Sequence, residues 1–240
     1  MISTVVLTRD PAGNRRWAAG LRSAGFAVIN APMIDTVPAA LTPGLAATLR
    51  QLPDYDWLVI TSPRTPPILR ALMNEAHVPR AKPPSVAAVG PASAAAAERA
   101  GFTVTFVAPT PTSAGLAATL NPVDGRAIAL AQANIAPADL AQSLQYRGAH
   151  ITRLTLYTLT PHDQPNPQLE AKLQAPATAI LLASPSAALV LAQRWPAALV
   201  VPVVAIGPTT AGAARRIGYT AVTQAAAPDL PSVTSALHLL

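Results

Sequence analysis

Two stretches of this chain say nearly the same thing, and that repetition constrains the fold more than any other feature. Ala87-Ala88-Val89-Gly90-Pro91-Ala92-Ser93 and Val204-Ala205-Ile206-Gly207-Pro208-Thr209-Thr210 each lead an apolar run into a Gly-Pro step. An alanine-rich stretch follows each and stops at a glycine, Gly101 in the first copy and Gly218 in the second. A continuous apolar run reads as a buried parallel strand. Proline suits the first helical position, because its φ is already helical and its missing N–H would have no partner there. The glycine lets a ligand come close. The hydroxyl two residues after the proline, on Ser93 or Thr210, falls beside free amides and the positive end of the helix dipole. Such a terminus suits a carboxylate or phosphate. The plainer reading is a tight strand-to-helix turn with Ser93 or Thr210 as a local cap, and the matched hydroxyls in two copies weigh against it.

The match spreads well beyond these turns. Gly90, Pro91, Ala94, Arg99 and Gly101 meet the same residue types 117 positions later, at Gly207, Pro208, Ala211, Arg216 and Gly218. Slightly larger shifts put Gly25 on Gly148, Pro38 on Pro161, and Ser62-Pro63 on Ser184-Pro185. The chain is a duplicated α/β unit, too long in its period for a solenoid. Strands are expected over 5–8, 26–29, 57–61, 103–107, 127–131, 151–160 and 179–183. Helices are expected over 15–24, 45–52, 68–74, 112–120, 138–147, 169–174 and 189–194. Pro32 and Pro38 bracket an extended segment, and Pro79, Pro83 and Pro84 mark a loop. Alternating strands and helices imply parallel sheets covered on both faces.

Composition narrows the function. At 240 residues the chain is comfortable as two domains. With 51% apolar but only 4% aromatic residues, its cores must be built from Ala, Val, Leu and Ile. Cysteine is absent, which excludes disulfides and thiolate metal sites and fits a reducing cytosol. The start reads as a strand rather than a signal peptide, and no apolar run suffices for a membrane span. These features lead to the expectation of a soluble cytoplasmic protein. The net charge of +6 is spread thinly from Arg9 to Arg216, without the patch and stacking aromatics of a nucleic-acid binder. An acidic small molecule is the better partner. His77, His150, His162 and His238 match no motif and read as surface or loop residues.

An ordered set of motifs now carries a family likeness: Leu7-Thr8-Arg9, the 57–63 strand ending in Thr-Ser-Pro, Ala88-Val89-Gly90-Pro91, Leu156-Tyr157-Thr158 with Pro161, Ala183-Ser184-Pro185, and Ala205 to Thr210. Together they resemble uroporphyrinogen-III synthase through essentially the whole chain. The resemblance implies two similar lobes, each a parallel sheet flanked by helices (HemD-like, flavodoxin-like), joined by a two-stranded linker. Residues 1–34 and 161–240 would form one lobe, 40–155 the other, and 35–39 and 156–160 the linker strands. The repeat alone would have assigned the lobes to the two sequence halves.

What the resemblance implies chemically is a lyase of tetrapyrrole biosynthesis. It takes hydroxymethylbilane, loses the terminal hydroxyl as water and closes the ring with the last pyrrole inverted, as a monomer. It uses no metal or organic cofactor, which agrees with the absence of metal-ligand spacings and of a Gly-rich nucleotide fingerprint. Transient contact with hydroxymethylbilane synthase is a further implied partnership; nucleic acid and membrane are not. Tyr157 occupies the place of the family's favoured proton donor, although an ordinary phenol, with a pKa of about 10, is a weak acid. Much of the rate is then expected from holding a flexible bilane with its ends close. Carboxylate arms would be bound by Arg9, Ser62, Gly90, Pro91, Ser93, Ser184, Gly207, Pro208, Thr209 and Thr210, the twin turns facing one another across a cleft. Tyr157 packed at the lobe junction, and hydroxyls acting only as caps, are the alternative readings of the same residues.

The chain departs from the family pattern in places. Ser93 replaces the usual threonine, Ile60 and Leu182 replace a commoner phenylalanine, and Leu130-Ala131-Gln132-Ala133-Asn134 lacks the Arg-Gly often found after that strand. Two rivals share the site: a two-lobed module that binds a small anion unchanged, and an inactive family member kept as a partner or regulator.

Overall fold

The computed structural model describes residues 1–79 and 84–240. Along the chain run β1 (Thr4–Leu7), α1 (Pro11–Ser23), β2 (Ala27–Asn30), β3 (Ile34–Pro38), α2 (Pro43–Arg50), β4 (Trp57–Ile60) and α3 (Thr65–Glu75). Then come β5 (Ser85–Ala88), α4 (Pro91–Arg99), β6 (Val104–Val107), α5 (Ser113–Thr119), β7 (Ala127–Ala133), α6 (Asp139–Tyr146) and β8 (His150–Pro161). The chain finishes with α7 (Pro167–Leu173), β9 (Thr178–Leu182), α8 (Pro185–Arg194), β10 (Val203–Ala205), α9 (Pro208–Ile217), β11 (Val222–Gln224) and α10 (Leu230–His238).

Proline sets the helix starts. Helices α1, α2, α4, α7, α8 and α9 each carry it at the first helical position. Sequence reasoning recognised this at Pro91 and Pro208 but placed α1 and α8 a turn too late, because apolar periodicity begins only after the first turn. At the other ends, Gly25, Gly101, Gly148 and Gly218 all have positive φ, the backbone state that suits glycine and stops a helix. The apolar run over 200–206 reads as one strand, but residues 196–200 form a 3₁₀ turn and only β10 remains extended. Pro83 lies outside the described residues.

The chain divides into two units, Met1–Thr36 with Thr160–Leu240, and Val37–Leu159. The first holds a five-stranded sheet in the order β11-β10-β9-β1-β2, with every pairing parallel. Read from the other edge this is the flavodoxin-like order. Val5, Leu7, Ala179, Leu181 and Val204 point to one face, under Ala18 and Leu21 of α1 and Val233 and Leu237 of α10. Helices α8 and α9 pack on each other elsewhere in this unit. Val6, Ile180, Leu182, Val203 and Ala205, the alternate strand positions, are equally buried, which is why these strands read as unbroken apolar runs.

The second unit carries the order β3-β8-β7-β4-β5-β6. Leu58, Ile60, Val86, Ala129 and Ala131 join Leu49, Leu69 and Met73 on one face. On the other, Val59, Ala87, Ile128 and Leu130 pack under Leu116, Leu140 and Leu144. Four of its pairings are parallel. The fifth is not: Ala39 N donates to Leu156 O and His162 N to Met33 O, both at 2.9 Å, so partner numbers fall as β3 advances. The sheet is mixed rather than wholly parallel, with the antiparallel strand at its edge.

Comparing the two strand orders explains the repeat. β11-β10-β9-β1-β2 matches β6-β5-β4-β7-β8 strand for strand. Each sequence half therefore gives its first two strands to one unit and its last three to the other. The duplication is real in sequence, but the folded units are built across it.

Candidate functional site

In open α/β sheets ligands sit beyond the carboxyl ends of the strands, where neighbouring strands send their connections to opposite sides. In the first unit that point lies between β1 and β9. Thr8, 2% exposed, stitches it: its Oγ1 donates to Leu181 O at 2.7 Å and accepts from Ala183 N at 3.4 Å. Arg9 follows directly. Asn14, 1% exposed, donates through Nδ2 to Arg9 O at 2.8 Å and Leu7 O at 3.3 Å, fixing the turn that carries the arginine. Gly13 makes room for it, since a Cβ there would meet Arg9 Nε at 2.9 Å. Thr8 falls within the opening Leu7-Thr8-Arg9 motif, but its stitching role, like the roles of Gly13 and Asn14, depends on contacts between β9 and β1 or between α1 and the turn before it, which no local pattern shows.

Ser184 and the Gly207 turn complete this edge, because β9 and β10 are neighbours. Ser184 is the N-cap of α8, its Oγ accepting from Ala187 N at 3.2 Å. Its hydroxyl proton remains available to an acceptor. Gly207 caps α9 with extended backbone and no side-chain bond, Pro208 and Thr209 are exposed, and Thr210 is buried as the third helical residue. Thr210 is therefore not the local cap. A Cβ on Gly207 would meet nothing within 4 Å, so neither sterics nor φ demands glycine there.

The second unit repeats this arrangement. Ser62 and Gly90 follow the adjacent strands β4 and β5. Ser62 Oγ accepts from Arg64 N at 3.2 Å. Gly90 again caps a proline-led helix without a side-chain bond, with Pro91 exposed and Ser93 buried. Ser93 is not a cap either. Here, however, a Cβ on the glycine would stand 2.8 Å from Pro111 Cβ, so the fold itself requires Gly90.

Tyr157 lies on β8 opposite Ala133. It is 2% exposed, inside the cluster of Leu69, Met73, Leu154 and Leu156, with its hydroxyl 3.5 Å from Thr65 Oγ1. Thr65, wholly buried, is the first helical residue of α3. A negative charge left on the phenol oxygen would thus face the positive end of that helix. The structure brings Ser62, Gly90, Pro91 and Ser93 to one sheet edge and Arg9, Ser184, Gly207, Pro208, Thr209 and Thr210 to the other unit's edge. Tyr157 belongs with the first set through Thr65, whose amide bonds Ser62 O at 3.1 Å.

A cavity of about 520 Å³ opens at the opposite end of the second sheet, lined by Leu52, Arg70, Pro84, Arg99 and Thr103. Arg70 there is engaged on the carbonyls just after α4, with Nε on Ala100 O at 2.8 Å and Nη2 on Gly101 O at 3.0 Å, and over the Phe102 ring. Among the described residues no His, Asp or Glu cluster has the makings of a metal site, and no helix is long and apolar enough to cross a membrane.

Two flavodoxin-like units built across a sequence duplication, with paired Gly-Pro helix starts at their strand ends, define a class of two-unit α/β protein. The family model described as uroporphyrinogen-III synthase HemD matches residues 15–235, and the chain belongs to that family, lyases of tetrapyrrole biosynthesis. Among solved structures, a methionine-substituted uroporphyrinogen III synthase from Thermus thermophilus aligns with a TM-score of 0.69 at 20% identity, over 99% of this chain and 100% of that one. Its wild-type counterpart in another crystal form gives 0.53 at 22%, over 98% and 95%. The Helicobacter pylori uroporphyrinogen-III synthetase gives 0.66 at 14%, over the full length of both chains. At such identities the likeness speaks for the fold. A comparison with curated proteins gives no match.

Proposed function

We propose that this chain converts hydroxymethylbilane to uroporphyrinogen III by binding the substrate's carboxylate arms at the two Gly-Pro turns and giving a proton from Tyr157 to the departing hydroxyl. The observation that carries this reading is the pair of proline-led helices, α4 and α9, that start beside a strand end with no side-chain cap. Six other helices spend an Asp, Asn, Ser or Thr side chain on that position; α3 and α6 also go without one, but neither has a glycine there. Uncapped first-turn amides are the natural partners of carboxylates.

The chemistry asked of side chains is small. The departing hydroxyl needs a proton, and the methylene cation that remains must be tolerated until the ring closes. Tyr157 Oη supplies the proton, Thr65 Oγ1 and the start of α3 face the oxygen that has lost it, and Ser62 and Ser184 add hydroxyls beside the turns. Arg9 gives the first unit's edge a fixed positive charge, since guanidinium stays protonated. No metal or organic cofactor enters this scheme. The same reading makes the protein a monomeric cytoplasmic enzyme without nucleic-acid or membrane partners, receiving its substrate from hydroxymethylbilane synthase.

The test is the ring isomer formed from freshly prepared hydroxymethylbilane, oxidised and separated as porphyrins. Type III is the expected product. Type I alone, the isomer that arises without inversion, would reject the enzymatic reading and leave a binding or inactive protein.

A further inference from the structure

Side chains along the middle of β8 alternate strictly. Arg153 and Thr155 are exposed, Leu154 and Leu156 buried. Continued, that period would put Tyr157 on the exposed face with Thr155. Instead it is buried beside Leu156. The cause is a shift in the ladder: Gln132 stands opposite Thr155 but Ala133 opposite Tyr157, leaving Leu156 as the extra residue of a bulge. A bulge re-aims everything that follows it.

The loop leaving β7 holds the bulge in place. Asn134 N donates to Tyr157 O at 2.9 Å, and Asn134 Oδ1 accepts from Leu159 N at 3.1 Å, so one residue grips β8 on both sides of Thr158. Arg153 ties the same loop from the other side. Its Nη2 donates to Ala136 O at 3.0 Å, and with the Gln132 amide turned so that its oxygen faces the guanidinium, Nη2 and Nε donate to that oxygen at 2.9 and 2.6 Å. Gln132 is 3% exposed, so this contact lies inside the fold. These contacts hold the strand rather than reach for a ligand.

Resting on the reading of Tyr157 as proton donor, we propose that Asn134 is its positioning residue, acting through the bulge rather than by touching substrate. Its side-chain oxygen locks the register that turns the phenol toward Thr65. A one-residue slip would carry Tyr157 to the opposite face.

The experiment uses the full chain and steady-state turnover of hydroxymethylbilane. Asn134→Ala should lower kcat by about ten- to a hundredfold, the range expected when a reacting group is misplaced, with KM nearly unchanged. Asn134→Asp keeps an acceptor for Leu159 N–H and should restore most of the turnover. In a Tyr157→Phe background Asn134→Ala should cost nothing further, because the group it positions is gone. Asn134 is exposed, so alanine is accommodated; Asn134→Gln, which moves the amide by a methylene, carries the same expectation and guards against a folding failure. Parental turnover in Asn134→Ala beside an impaired Tyr157→Phe would overturn the positioning role alone. So would multiplying effects in the double variant, or an aspartate no better than alanine. Parental turnover in Tyr157→Phe would overturn the proton-donor reading instead.

Discussion

A Cβ built on Gly90 stands 2.8 Å from the Cβ of Pro111, whereas the same construction on Gly207 meets nothing. The two turns match in sequence but differ in packing: the fold requires glycine at position 90 and leaves room for a side chain at position 207. Gly90→Ala should overpack the turn and cost about 1–3 kcal/mol, or several degrees of melting temperature at about 2–4 °C per kcal/mol for a chain of this size. Gly207→Ala should melt like the parent and raise KM for hydroxymethylbilane, because only an incoming ligand meets the added methyl. Thermal melts and steady-state kinetics on both variants decide it. A destabilised Gly207→Ala, or one with parental KM, would remove Gly207 from the site.

Thr8 joins β1 to β9 at the point where the first unit's connections diverge. Thr8→Val keeps the shape but leaves Ala183 N–H and Leu181 C=O without this hydroxyl. Losing such a buried partner costs about 1–3 kcal/mol, readable as a lower denaturant midpoint at unchanged slope. An unchanged midpoint would show that the strand ends need no stitch.

Tyr157→Phe removes the phenol proton without changing the core volume. Turnover should fall by about a hundredfold, the lower range of a lost general acid, while affinity for uroporphyrinogen III stays near parental. Equal losses in both would make Tyr157 a packing residue.

Stability should bend with pH at both ends for reasons traceable to two residues. Asp56 accepts from Ala127 N at 2.9 Å and from Arg126 Nη1 at 3.0 Å, which holds its carboxyl below the ordinary range. A depressed carboxylate stabilises the fold above its unfolded pKa of about 4 and stops doing so as pH falls through the folded value. Asp56→Asn should flatten the acid limb of denaturant stability. Tyr219, buried with its hydroxyl on Ala188 O at 2.9 Å, has its pKa raised by desolvation. Its contribution is complete below about pH 10 and is lost above it, as the unfolded chain ionises first. Tyr219→Phe should flatten the alkaline limb. Unaltered limbs would contradict these assignments.

The sequence made the strand-turn-helix units legible because apolar runs, Gly-Pro steps and helix-stopping glycines are local signals. It showed the duplication but not the exchange of strands across it, since which half's strands pair is a tertiary fact; only the family likeness pointed there. The role of the hydroxyls was ambiguous for a similar reason: Ser184 is a cap while Ser93 and Thr210 are buried third-position residues, and spacing from a proline does not distinguish these fates. His162 illustrates the rest. It matched no motif, yet its Nδ1 lies 2.9 Å from both carboxylate oxygens of Asp35, a pairing across 127 positions that no periodicity announces. The bulge that turns Tyr157 inward left no mark on β8 itself, because Asn134, which fixes it, lies beyond the neighbouring strand.

The central claim is that the Gly-Pro turns bind the acid side arms of the tetrapyrrole. Backbone amide NMR during anaerobic titration with uroporphyrinogen III tests it directly. The account predicts that amides of residues 92–94 and 209–211 shift together and saturate with a single Kd. Shifts confined to one turn, or saturating binding that moves neither, would contradict it.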